Sequence, residues 1–194
     1  MNIFEKSKWI WPTPEAHADE YAEFIEDVNF YGRSAELVIS SDSNYTVYVN
    51  GSLAAFGQYA DYPYKKVYDK IDVSRYMRQG KNVIAFRVWY YGINTSSTYY
   101  PGKAGLIYSL FADESLLAYS SESTLSRLSP TFVPYKEKFI TSQLGHPLRG
   151  SWMRNHHHGN SHGRLASSWC SSSNPQRRPL SSPMRVSYKV RPWH

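Results

Sequence analysis

AELVISSDSNYTVYVNGSLAAFG, residues 35–57, contains two strand-like runs separated by turn chemistry at fixed places. Tyr45, Val47 and Val49 alternate with Thr46, Tyr48 and Asn50, a period of two that turns one set into a core and the other outward. That is the pattern of a half-buried β-strand. Asn50-Gly51 follows, the two residue types that tolerate the positive φ of a type I′ turn, and Leu53 to Phe56 resumes the apolar run as a return strand. The spacing predicts a hairpin. Ahead of it, Ser40-Ser41-Asp42-Ser43-Asn44 collects short side chains that hydrogen-bond their own backbone, and a turn is expected there.

Working outward, Trp9-Ile10-Trp11 reads as a short strand stopped by Pro12 and Pro14. Tyr21 to Phe30 reads as another, because Gly32 and the β-type run from Ala35 follow so closely. Tyr59 to Tyr64, YADYPY, is a polar-aromatic loop in which Pro63 fixes a turn, and Lys66 to Ile71 alternates again. Asp72 to Gly80 starts with a capping residue and ends with a terminating one, so a single helical turn is expected. Asn82 to Tyr91 is apolar at nearly every position, as in a central strand packed on both faces. The chain then enters GINTSSTYYPGKAG, a loop long enough between two strands to suggest function. Gly105 to Asp113 and Leu116 to Tyr119 form a strand pair across Glu114-Ser115, and Thr124 to Phe132 is a weaker run. No stretch sustains a 3.6-residue period, and strands recur with turn residues between them. The expected fold is all-β, a jelly-roll β-sandwich.

The 194 residues carry 22 Lys and Arg against 16 Asp and Glu, yet residues 153–194 hold 7 of the basic side chains and none of the acidic ones. The net charge of +6 therefore belongs to a Ser-, Arg-, Pro- and His-rich tail, while 1–152 is nearly neutral. Nucleic acid is disfavoured as a partner of the folded part. An interaction protein whose basic tail binds nucleic acid or another polyanion is the alternative reading. The composition switches abruptly at Trp152, marking 153–194 as a disordered tail of the kind a shifted reading frame or a truncated gene produces. Cys170 is the single cysteine, so the chain forms no internal disulfide. The N-terminus has no continuous apolar run, and none elsewhere approaches a membrane span, so a soluble, cytoplasmic protein is expected. Aromatic residues make up 16% of the chain, with 17 tyrosines. Each buried Tyr hydroxyl needs a partner, so surplus rings are expected to face solvent or a ligand.

In the order of these motifs the chain resembles the N-terminal β-sandwich module of bacterial α-L-rhamnosidases, glycoside hydrolases of family 78 whose accessory modules have a galactose-binding-like jelly roll. The resemblance is carried by Trp9-Ile10-Trp11, Ala35 to Ile39, Tyr45 to Gly51, Tyr59 to Tyr64, Asp72-Val73-Ser74 and Gly80 to Trp89, and runs from about Trp9 to Trp152. It implies an accessory module without catalytic activity of its own, truncated before the helical (α/α)6 barrel that carries the family's chemistry. The implied partners are a rhamnose-containing oligosaccharide or polysaccharide and the catalytic domain of the parent enzyme.

Read from the residues alone, glycoside hydrolysis needs two carboxyl groups flanking one bond. Asp42, Asp61, Asp69, Asp72 and Asp113 each occupy a turn, cap or strand end where Asp is expected for backbone reasons, and no pairing is visible. His156-His157-His158 and His162 lie in the tail without fixed geometry, so neither a metal nor another cofactor is expected. Sugar recognition calls instead for flat aromatic faces with planar polar groups beside them. Tyr59, Tyr62, Tyr64, Arg87, Tyr91, Asn94, Tyr99 and Tyr100 are of those types, most of them on two loops that a jelly roll brings to one end. Burial against a catalytic domain is the alternative for the same rings, with Trp89 in the core.

Overall fold

The computed structural model describes residues 3–57, 62–95, 99–132 and 184–187. Its strands are β1 (Glu20–Phe30), β2 (Ala35–Asp42), β3 (Asn44–Val49), β4 (Ser52–Gly57), β5 (Val67–Asp72), β6 (Gly80–Tyr90), β7 (Gly105–Ala112), β8 (Ser115–Tyr119), β9 (Leu125–Leu128) and β10 (Met184–Ser187). The chain passes back and forth between two sheets, ordered β4-β3-β6-β1-β9 and β10-β5-β2-β7-β8, and all the pairings are antiparallel. This is the expected β-sandwich. No helix among the described residues is long and apolar enough to cross a membrane.

The predicted hairpin forms. Asn50 and Gly51 take φ of 51° and 80°, and Tyr45, Val47 and Val49 point into the core while Thr46 and Tyr48 lie half-exposed. Asn50 does more than turn the chain: its Nδ2 donates to Tyr76 O at 2.9 Å, and its Oδ1 accepts from Val83 N at 3.1 Å. These bonds tie the hairpin to β6 and to the short 3-10 turn Ser74–Tyr76, the single helical turn read from Asp72 to Gly80. Between the sheets, Phe24, Leu37, Ile39, Val47, Ile84, Phe86, Leu106 and Leu110 are closed off from water. Burial of this kind contributes about 25 cal/mol per Å² of apolar surface, and it is what holds a sandwich without disulfides together.

Several local expectations need correction. Ser40 to Asn44 is not an exposed turn: Ser40, Ser41 and Asp42 continue β2, a cis peptide bond joins Asp42 to Ser43, and Asn44 begins β3. All four residues from Ser40 to Ser43 are buried. Ser41 Oγ does donate to the local backbone, at Ser43 O, but Ser40 Oγ donates to Val67 O at 2.7 Å and Ser43 Oγ accepts from Tyr91 N at 3.0 Å, partners far along the chain. Trp9 to Trp11 contributes a single bridge, Ile10 to Leu106. Strand β6 is central in its sheet but buried mainly on one face, since Val83, Arg87 and Trp89 remain half-exposed on the other. Within the region expected to be disordered, Met184–Ser187 pairs with Lys70 to Val67 of β5; the remainder of 153–194 lies outside the described residues.

Part of the tyrosine surplus is absorbed by carboxylates. Tyr45 donates to Asp69 Oδ2 at 2.5 Å, Tyr99 donates to Asp42 Oδ1, and Tyr108 donates to Glu26 Oε2. A ring supplies apolar surface while its hydroxyl answers a buried acid, which solves two packing problems with one residue. Burial above all, and Asp27 beside it, raise the pKa of Glu26 although the Tyr108 hydrogen bond pulls the other way. The folded state then holds a proton that the unfolded chain has lost, so this group's contribution weakens as pH rises from the ordinary glutamate range, about 4.3, through the raised value. Glu26→Gln keeps an acceptor for Tyr108 without the charge. We expect it to raise the urea midpoint at pH 7 and to leave stability unchanged at pH 4; equal midpoints for the two proteins at pH 7 would contradict this.

Candidate functional site

The two loops singled out in the sequence meet on the surface. Between β4 and β5 the chain makes a tight turn at Tyr62-Pro63-Tyr64-Lys65, closed by Lys65 N donating to Tyr62 O at 2.9 Å. This turn sets Tyr62 and Tyr64 side by side, with ring centroids 5.3 Å apart and planes 20° from parallel. The loop after β6 brings Tyr100 against Tyr62 as well, at 5.6 Å and 26°. Tyr64, Tyr62 and Tyr100 thus form one offset stack, the arrangement that ring quadrupoles favour. The rings are 69%, 46% and 38% exposed in that order.

Buried groups beneath the surface hold Tyr100 in place. On one side of it, Tyr99 is completely buried, donates its hydroxyl proton to Asp42, and exchanges hydrogen bonds with Thr95 across the loop. On the other, Gly102 N donates to Asp42 Oδ2 at 2.9 Å and Gly102 O accepts from Tyr90 Oη at 2.9 Å. Glycine is required there, because a Cβ would stand 2.6 Å from the carboxylate. Lys66, itself buried, places Nζ 3.4 Å from the same oxygen. Desolvation, then the Asp42 charge, pushes the Tyr99 pKa far up, so the phenol stays a donor. The Asp42 cluster is therefore a buried anchor from which both aromatic loops are hung: Lys66 directly follows the 62–65 turn, and Tyr99 and Gly102 flank Tyr100.

The other residues expected at the site lie elsewhere. Tyr91 is buried, packed edge-on against Trp89 and Tyr99. Arg87 sits on the outer face of the β4-β3-β6-β1-β9 sheet, its guanidinium 3.8 Å from Glu23 and 5.1 Å over the Phe132 ring. Trp89 is on that face too, not in the core, stacked on Tyr21 and donating Nε1–H to Asp19 at 3.0 Å. Asn94 is exposed in the loop after β6, and Tyr59 lies outside the described residues. Sequence reasoning missed Asp42, Lys66 and Gly102 as the support of the site. The one usable signal was a glycine beside Tyr99-Tyr100, which hints at close backbone approach. Among the described residues no three His, Cys, Asp or Glu side chains are grouped to hold a metal ion.

No protein-family model and no curated protein sequence matches the chain. Solved structures do. The GH78 family rhamnosidase of Bacillus sp. GL1 is 28% identical with a TM-score of 0.60, the match covering 66% of this chain and 14% of that one. The α-L-rhamnosidase of Aspergillus terreus is 23% identical with a TM-score of 0.54, covering 67% and 17%. That of Streptomyces avermitilis, solved with L-rhamnose, is 24% identical with a TM-score of 0.50, covering 64% and 12%. The last two likenesses speak for the fold, and in every case this chain spans only a small part of the enzyme's length. The chain thus carries a β-sandwich similar to a segment of GH78 α-L-rhamnosidases.

Proposed function

We propose that this chain is a non-catalytic accessory module of an α-L-rhamnosidase-like glycoside hydrolase, which packs on a catalytic domain and seats a rhamnose-containing glycan on Tyr62, Tyr64 and Tyr100. The observation that carries the proposal is the exposed tyrosine stack, assembled from two loops and held by a buried anchor. Aromatic faces of this kind take the apolar side of a pyranose ring. A non-catalytic role is supported by the fate of the buried acids: Asp42 and Asp69 are spent on tyrosine hydroxyls inside the sandwich.

Each stacking contact contributes about 0.5–1.5 kcal/mol beyond burial. Set against the cost of immobilising a ligand, this leaves an affinity of roughly millimolar to high micromolar. Saturation-transfer NMR of the full chain with a rhamnose-containing oligosaccharide should show transfer to the sugar ring protons. Tyr64→Ala, at the most exposed ring, should weaken binding by about two- to tenfold without shifting the thermal midpoint. Absence of transfer to the wild-type ligand at millimolar concentration would refute carbohydrate binding and leave domain packing as the role of these rings.

A further inference from the structure

The spacing of the three rings bears on the shape of the ligand. Atoms in van der Waals contact lie about 3.5–4 Å apart, whereas these centroids are 5.3 and 5.6 Å apart in nearly parallel planes. Each ring is therefore slipped sideways on the next, leaving a strip of every face uncovered. Exposure agrees with this, since Tyr62 keeps 46% of its surface open although two rings stack against it. The result is a row of three apolar steps on an open surface. A seat for one free sugar has the opposite form, a concave pocket that covers most of the ligand and reaches its polar groups from several sides.

Resting on the carbohydrate-binding reading above, we propose that the row Tyr64–Tyr62–Tyr100 is the footprint of a linear glycan, with successive sugar residues of one chain lying on successive rings. A chain ligand loses its translational and rotational freedom once, and every further residue that reaches a ring adds contact without repeating that loss. The row is pre-set for this. Tyr62 and Tyr64 belong to one closed turn, and Tyr100 is held between Tyr99 and Gly102, both bound to Asp42. Affinity should therefore climb with chain length until the row is filled.

The test is titration of the full chain with L-rhamnose and its linear di-, tri- and pentasaccharides, followed by NMR shifts. Binding should tighten by about tenfold or more from one residue to three, then gain no more than the few-fold expected from additional registers. Tyr62→Ala, which removes the middle step, should flatten this length dependence. Should that variant unfold, Tyr64→Ala at the exposed end is expected to abolish the gain from its own step. Equal affinity for mono- and trisaccharide would overturn the linear footprint while leaving carbohydrate binding intact, and so would a steep rise continuing to five residues. No binding by any member of the series would overturn both.

Discussion

Asp42→Ala should lower the unfolding free energy by about 3–5 kcal/mol, the range found when one partner of a buried charged pair is deleted. Asp42 and Lys66 expose 2% and 6% of their side chains, so water cannot take the place of the missing carboxylate. The variant leaves the Lys66 ammonium buried without this counter-charge, and it removes the acceptor of both the Tyr99 hydroxyl and the Gly102 N–H. Urea denaturation would measure the loss directly. A decrease under about 1 kcal/mol would mean that the cluster is incidental to the fold. Combining Asp42→Leu with Lys66→Met should recover part of the loss, because two apolar side chains of similar volume leave no charge to solvate.

Tyr99→Ala and Tyr100→Ala should separate cleanly although the residues are adjacent. Removing the completely buried Tyr99 ring opens a cavity and strips a donor from Asp42, at a cost of about 3–5 kcal/mol. Tyr100, 38% exposed, should cost well under half as much and instead loosen the stack on Tyr62. Thermal melts of the two single variants decide the matter, and similar midpoints would show that Tyr99 is not the anchor. The pair reads in the sequence as two equivalent ligand-facing rings, and nothing in its composition distinguishes them. What distinguishes them is a distant partner: Tyr99 reaches down to the buried Asp42, whereas Tyr100 stacks on the exposed Tyr62.

The contrast between Tyr99 and Tyr100 shows which parts of this protein a sequence can reveal. The hairpin at Asn50-Gly51 and the runs of β3 and β5 are legible because φ preference and period-two alternation act between residues close in the chain. The tyrosine loops are legible as aromatic surplus beside Pro and Gly. The Ser40 to Ser43 stretch misleads for the complementary reason. Short polar side chains usually satisfy their own backbone, as Ser41 does at Ser43 O, but Ser40, Ser43 and Asp42 take Val67 O, Tyr91 N and the Tyr99 hydroxyl, 27, 48 and 57 positions away. A partner at that distance in sequence leaves no local trace. Three of the eight expected sugar contacts are misread in the same way: Tyr91 and Tyr99 turn inward, and Arg87 lies on the outer face of β6 beside Glu23.

The interleaved strand order sets the sequence of events during synthesis. β1 pairs with β6, Glu20 opposite Tyr90, and β2 pairs with β7, Asp42 opposite Gly105. Of the strands made early, only the β3–β4 hairpin has its partner immediately next to it. The emerging chain must therefore carry β1 unpaired, with Phe24 exposed, until residues 80–90 have left the ribosome, while β2 can take β5 on one edge but waits for residues 105–112 on the other. Pairings this distant place a protein among the slower-folding β topologies, in milliseconds to seconds rather than microseconds. At translation rates of about 5–20 residues per second, the wait for the partner strands outlasts the folding step itself. During that interval the nascent β1 and β2 segments are the natural clients of chaperones.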